Sequence, residues 1–298
     1  MAKNKQPQGI KAGIYFKLPR EVYHADPALS HSGMVDILSH PLDYWVNSPL
    51  NPRRKQFNQS EAMLFGDRCH SLLLEGDGFF KRFLVQGSRE PQNNRVFLGK
   101  IEFDRIKEAV TRVRQVKMGD DHFKLGYPEV SIFWPHKSGI MLRARIDYLR
   151  TFGGIDYKLI RSIGNSTIGS AIADHGLDIQ CALYCDGIRT IRKLIKQGKA
   201  VVEGDPHPEW LEEFVNEKDC LFRFFFQRST PPYVWRLIKN LDAEIMAVAE
   251  GDMLTAIHIY KTYIEKYGAA EWPANDGTAE EFSIYNVPRR INDRSHQN

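Results

Sequence analysis

The sequence predicts an α/β (α+β) protein: a mixed central sheet flanked by helices. Three observations predict it. Helical-period windows fill the stretch before about residue 120, the period switches to two between about 130 and 160, and a long helical window with further strand-like runs follows. Segments in that order bury a sheet between helical layers. The 298 residues, 42% hydrophobic, suffice for a core that needs no disulfide or metal staple.

In chain order, residues 1–30 read as irregular, punctuated by Pro7, Pro19 and Pro27. Ser30 to Ser32 opens a helix through Met34, Ile37 and Leu38, and Pro41 begins another holding Tyr44 and Trp45. Residues 47–57 form a polar loop. From Ser60 to Glu75 the pattern is helical, with Ala62, Gly66 and His70 recurring at every fourth residue on one side. Two small residues in line with a histidine let that side approach something closely. Gly76, Asp77 and Gly78 end the helix. A further amphipathic window, about 101–116, puts Ile101, Ile106, Val110 and Val113 on one face.

Then Val130, Ile132 and Trp134 alternate with more polar neighbours, as a strand does. Met141–Leu149 and Ile155–Ile160 follow across short turns, so the three runs make an antiparallel meander. One long helix is expected over about 166–196, with Ile172, Ile179, Leu183, Ile191 and Leu194 as its apolar positions. Strands at Leu221–Phe226 and Tyr233–Ile238 come next, the second announced by Pro231-Pro232, and a last helix covers about 241–267. The chain divides into an N-terminal segment packed on the core (1–57), a main domain (58–270) and a polar tail (271–298).

Composition excludes some classes. No run of eighteen apolar residues exists to span a membrane, and the basic N-terminus lacks the apolar stretch of a secretory signal, so a cytoplasmic protein is expected. Cys69, Cys181, Cys185 and Cys220 contain no CxxC pair and read as reduced thiols. A net charge of +4 decides little; local basic clusters matter more to a nucleic-acid partner, and Arg53-Arg54-Lys55, Arg189 with Arg192 and Lys193, and Arg289-Arg290 are candidates.

The chemistry lies in the meander. In MLRARIDYL, Leu142, Ala144, Ile146 and Tyr148 share an apolar face, leaving Arg143, Arg145 and Asp147 on the other. In GIDYKLI, Ile155, Tyr157 and Leu159 share one face, and Asp156, Lys158 and Ile160 the opposite one. Unpaired charges on a buried strand are costly. A meander can bring Asp147, Asp156 and Lys158 together, where a divalent cation relieves the carboxylate repulsion. Oxygen ligands suit Mg2+, with Mn2+ able to substitute. Such a site can hydrolyse a phosphodiester, the metal acidifying a water and the lysine supplying a compact positive charge. An ordinary salt bridge between strands is the competing reading, because a lone DxK is common.

Asp147 followed by Asp156-Tyr157-Lys158 resembles the core motif of the PD-(D/E)xK nucleases, whose restriction-endonuclease-like core the fold class then implies. Gln180 and Tyr184, in QCALY, resemble the QxxxY motif of the RecB-like branch, and His70 stands where that branch carries a metal-binding histidine. The stretches YHADPALSHSGM, FGDRCHSLLLEGDGFFKRFLV, RARIDYL and CLFRFFFQ look like RecE-type phage and prophage exonucleases. The resemblance implies that His70, Asp147, Asp156 and the Tyr157 carbonyl bind metal, that Lys158 orients the water, and that Gln180 and Tyr184 face the site. It implies a DNA exonuclease resecting duplex ends from 5′ to 3′, a single-strand annealing protein as partner, and a homo-oligomer. The chain departs from the family in carrying Leu159 and Ile160 where threonine often follows the lysine. Glu129 is a candidate supporting acid, and Glu75 reads as a solvated helix end. The alternatives are a RecB-like single-strand nuclease or endonuclease of repair or defence, and a non-catalytic DNA-binding protein of the same fold.

Overall fold

A computed structural model describes residues 5–55, 59–91 and 93–275. The expected boundary at 57/58 and the Arg289-Arg290 cluster lie outside the described residues, as does the tail from residue 276 onward.

The chain begins with β1 (Gly13–Tyr15), α1 (Arg20–Ala25), α2 (His31–Ser39) and α3 (Pro41–Asn47). Next come α4 (Glu61–Glu75), α5 (Phe79–Arg82), β2 (Phe83–Val85), β3 (Val96–Leu98), α6 (Lys100–Arg114) and α7 (Lys117–His122). The meander is β4 (Tyr127–Pro135), β5 (Met141–Arg150) and β6 (Gly153–Ile160). It is followed by α8 (Asn165–Asp174), α9 (Leu177–Lys196), β7 (Val201–Glu203), α10 (Pro208–Asn216), β8 (Leu221–Arg228), β9 (Trp235–Ile238) and α11 (Ala243–Tyr267).

Seven strands form one mixed sheet in the order β7-β1-β4-β5-β6-β8-β9. The meander pairs are antiparallel, whereas β6 pairs β8 and β1 pairs β7 in parallel. Each face of the sheet carries its own apolar cluster. On one face Leu142, Ala144, Ile146, Phe224 and Phe226 meet α2, α3, α9 and α11. On the other, Ile155, Tyr157 and Phe225 meet Phe65, Cys69 and Leu73 of α4 and Ile106, Val110 and Val113 of α6. Serines cap the helices that matter to the site: Ser30 Oγ accepts from Gly33 N at the start of α2, and Ser60 Oγ accepts from Met63 N at the start of α4.

Several expectations need correction. The helix expected over 166–196 is two helices, α8 and α9, broken at Gly176, whose φ of 58° is left-handed. Ile101 is 81% exposed, and Phe103 packs on the α6 cluster instead. Tyr148 leaves the face of Ile146 and packs with Ile155 and Tyr157. Arg192 is buried, donating to the carbonyls of Asp219 and Thr151, so it is no surface for nucleic acid. β1 lies in a stretch read as irregular, and β7 and α10 were not expected; three-residue strands are too short to display a period. Trp272, within the polar tail as drawn from sequence, is buried in the core. The described cysteines are all free, and no described helix is long and apolar enough to cross a membrane.

Candidate active site

The site is built where two neighbouring strands part. β5 and β6 pair only over Tyr148–Ile155, Leu149–Gly154 and Arg150–Gly153. Beyond that, β6 stays paired with β8 along its whole length and leaves β5. Its freed backbone groups need partners. The Tyr157 N–H finds one in a side chain, donating to Asp147 Oδ2 at 2.9 Å. Asp147 is thereby fixed to the strand that carries Asp156 and Lys158.

On the other side of β5 a second irregularity turns an acid inward. Pro128 and Val130 of β4 pair with Tyr148 and Ile146, but Glu129 between them adopts a φ of 56°. A non-glycine residue held there costs roughly 1–3 kcal/mol and persists only where its surroundings insist on it. Arg145 supplies part of that insistence. Its Nε donates to Glu129 Oε2 at 2.5 Å, while its Nη1 donates to Leu18 O and Ser131 Oγ.

His70 of α4 reaches into the gap. Its Nδ1 lies 3.1 Å from Glu129 Oε1 and its Nε2 3.1 Å from Asp147 Oδ2. One ligand atom from each of His70, Glu129 and Asp147 fits within a span of 4.8 Å. Burial alone would lower the His70 pKa, but the charge and hydrogen bond of Asp147, and then Glu129, hold it up at about 9. Burial would raise Asp147, and His70 and Lys158 keep it at about 2. The two carboxylates thus favour positive charge between them, and His70 would give up its proton to offer a nitrogen to a metal ion there.

Asp156 and Lys158 form the second half. Lys158 Nζ donates to Asp156 Oδ1 at 3.0 Å, and Gln180 Nε2 of α9 donates to the same oxygen at 2.6 Å. Asp156 Oδ2 is buried and has no partner among the described residues. Burial pushes Asp156 up to about 6, with Lys158 opposing and Asp147 adding to the rise. Burial would lower Lys158, yet Asp156 and Asp147 hold it above the usual lysine range. Tyr184, one turn along α9 from Gln180, is buried edge-on against Phe222 and borders the cleft.

The structure therefore brings His70 and Asp147 together and sets Lys158, Asp156 and Gln180 beside them. Asp156 is outside the trio, turned toward Lys158 and Gln180. Tyr157 contributes its backbone N–H to Asp147. Glu129 enters the trio itself, more than the supporting part read from sequence. The β4–β5 ladder pairs the residues on either side of Glu129 with Tyr148 and Ile146, the neighbours of Asp147, a register that the sequence alone does not fix. Arg145, its partner, was seen only as a polar-face residue. Glu75 ends α4 but accepts from Arg82 rather than standing free in solvent.

His70, Glu129, Asp147 and Lys158 open on a cleft of about 1130 Å³, with Asp156 and Gln180 buried behind them. One wall comes from α1 and the start of α2 (Arg20, His24, His31) and the other from α4 (Met63, Gly66, Asp67, His70). The donor set fits a divalent cation. Glu129 and Asp147 offer hard oxygens and His70 a nitrogen, while Asp156 Oδ2 on the neighbouring strand β6 is a buried acceptor without a partner among the described residues.

Known proteins agree with this reading of the fold. No curated protein matches the sequence. A crystal structure from Eubacterium rectale, described as a "Putative exonuclease", superposes with a TM-score of 0.52 at 17% identity, covering 83% of this chain and 87% of that one. Residues 32–202, more than half of the chain and including every candidate ligand, match the family described as "PDDEXK-like domain of unknown function (DUF3799)". The chain belongs to this PDDEXK-like family.

Proposed function

We propose that this protein is a metal-dependent deoxyribonuclease that resects duplex DNA from a 5′ end. The observation that carries the reading is the fork between β5 and β6, where His70, Glu129 and Asp147 converge beside the Lys158–Asp156–Gln180 chain. Membership in a PDDEXK-like family supports a nuclease. The 5′ polarity, a closed ring of subunits, a cytoplasmic location and a partner that anneals the exposed strand rest on the likeness to RecE-type enzymes.

A divalent cation held by His70, Glu129 and Asp147 would polarise the scissile phosphate and acidify a bound water. Mg2+ suits the carboxylates, and the imidazole adds affinity for a softer ion such as Mn2+. The chain's own part is positional. Asp156 holds the Lys158 ammonium at 3.0 Å, where it can face an attacking water and the charge developing on phosphorus. Gln180 keeps Asp156 from rotating, and the Tyr157 N–H keeps Asp147 aimed into the gap. Arg145 holds Glu129 in its costly backbone conformation.

The test is digestion of end-labelled linear duplex with Mg2+ or Mn2+. Wild-type protein should release labelled nucleotides, and Lys158→Ala should slow release by roughly 10²–10³-fold. Equal, negligible release by both proteins with either metal overturns the enzyme and leaves a DNA-binding protein. Cutting of closed circular DNA replaces the exonuclease with an endonuclease.

A further inference from the structure

The cleft carries a second polar device, one turn of α4 away from the metal trio. Met63, Gly66, Asp67 and His70 all border the cleft, so Asp67 and His70 look into the same space. They stand three positions apart on the helix, about 4.5 Å along its axis. Asp67 is clasped by two arginines from different elements. Arg20 of α1 donates from Nη1 to Oδ1 at 2.8 Å, and Arg82 of α5 donates from Nη2 to Oδ2 at 3.0 Å. Arg82 also donates from Nη1 to Glu75 Oε1 at 3.2 Å. The arginine side chains remain 52% and 42% exposed, whereas Asp67 is 22% exposed.

Three features of this arrangement bear on a ligand. Both guanidiniums border the cleft beside the candidate metal centre. Each is held by one oxygen of a single carboxylate, and the planar fork that matches a carboxylate also matches a phosphate. Beside Asp67 the floor is empty: a Cβ placed on Gly66 would meet nothing within 4 Å. The close approach that Ala62 and Gly66 permit is therefore toward open cleft.

We infer that Arg20 and Arg82 are the phosphate-gripping residues of this cleft and that Asp67 is an internal stand-in for the phosphate. When duplex enters, the two arginines transfer from Asp67 to the backbone of the strand lying along α4. Both arginines line the same cleft as the trio, so the phosphate they take up lies on the strand near the scissile one. Exposed ion pairs are weak, which makes the exchange feasible, and Asp67 is exposed enough to rehydrate. The competition keeps the grip reversible, as an enzyme that advances along its substrate requires. The inference rests on the nuclease reading for its ligand, DNA, but not on turnover.

The experiment is a fluorescence-anisotropy titration of a dye-labelled 20-base-pair duplex with full-length protein in EDTA, across a salt series. Asp67→Asn keeps the shape and removes the competing charge, and it should tighten Kd by about tenfold. Glu75→Gln frees only Arg82 from its second partner and should tighten Kd less. Arg20→Ala with Arg82→Ala should weaken binding and reduce the slope of log K against log salt by about 1.8. Unchanged or weaker binding by both carboxylate variants overturns the inference, and so does an unchanged salt slope in the arginine variant. Melting curves check that each variant folds, and the two carboxylate variants act as independent probes. Cleavage is not read here: a wild-type protein that binds duplex but never cuts it sinks the proposed function and leaves this inference to the titration.

Discussion

At the scale of single residues, the site places charged groups where burial works against them. Asp156 is 1% exposed, and one of its oxygens is shared by Lys158 and Gln180 while the other has no partner among the described residues. Gln180 never touches the reacting atoms in the proposed scheme; it acts by positioning Asp156. Gln180→Ala should therefore slow nucleotide release by about 10–100-fold while leaving duplex affinity in EDTA unchanged. A parallel loss of affinity would place Gln180 on the DNA instead. His31, on the opposite wall, gives a stability prediction. Burial pulls its pKa to about 4, opposed by the Gly176 carbonyl, which accepts from Nε2 at 2.8 Å. An unfolded histidine titrates near 6.5. Above that value both states are neutral and His31 has no effect. As pH falls from 6.5 toward 4 the unfolded chain takes up the proton first, so stability is lost across that window, by up to roughly 3 kcal/mol. Urea unfolding at pH 7.5 and 4.5 should show a smaller pH-dependent loss for His31→Gln than for wild type. Equal losses would remove His31 as a cause.

At the scale of elements, the sequence was legible where a period ran uninterrupted and opaque where it broke for the sake of the site. The alternation of β5 reads correctly from Leu142 to Asp147 and fails at Tyr148, which sits where β5 and β6 begin to part. The place of Glu129 in the trio depends on a left-handed φ that no pattern of polarity announces. The division of the 166–196 window depends on Gly176, one glycine inside an otherwise continuous helical run. Glycines elsewhere look alike in the sequence but face opposite surroundings. A Cβ on Gly66 of α4 meets nothing within 4 Å, whereas one on Gly187 of α9 would come within 2.6 Å of the buried Trp134 ring. Gly66→Ala should thus stabilise the fold by about 0.5–1 kcal/mol through helix propensity. Gly187→Ala should destabilise it by about 1–3 kcal/mol through overpacking of α9 on β4. Urea denaturation of the two variants checks both signs, and a destabilised Gly66→Ala would mean that α4 packs more tightly than its open face indicates.

At the scale of the whole molecule, the site exists only because distant segments close around one fork. His70 comes from α4, Glu129 from β4, Asp147 from β5, Asp156 and Lys158 from β6, and Gln180 from α9. Motif order in the sequence named all of these except Glu129 as candidate site residues, but it could not say which carboxylates share an ion, because that depends on how β4, β5 and β6 are offset in space. The cleft wall was also hidden, since Arg20 and His24 lie in a stretch without periodicity. Metal-induced stabilisation reads the shared ion directly. A ligand that binds only the native state at a hundred times its Kd adds about 2.7 kcal/mol, which for a chain of this size raises Tm by a few degrees. Mn2+ should produce that rise in wild-type protein. Asp147→Asn should abolish it, since Asp147 is tied to both His70 and the Tyr157 N–H. Glu129→Gln should remove most of it, because Glu129 completes the trio. Asp156→Asn should cut it in part, because its Oδ2, with no partner among the described residues, carries charge on the strand beside the trio. A full rise in Glu129→Gln with none in Asp156→Asn would reverse that order: Glu129 would then be only the partner of Arg145 and His70, and the ion would sit between the two strands of the fork.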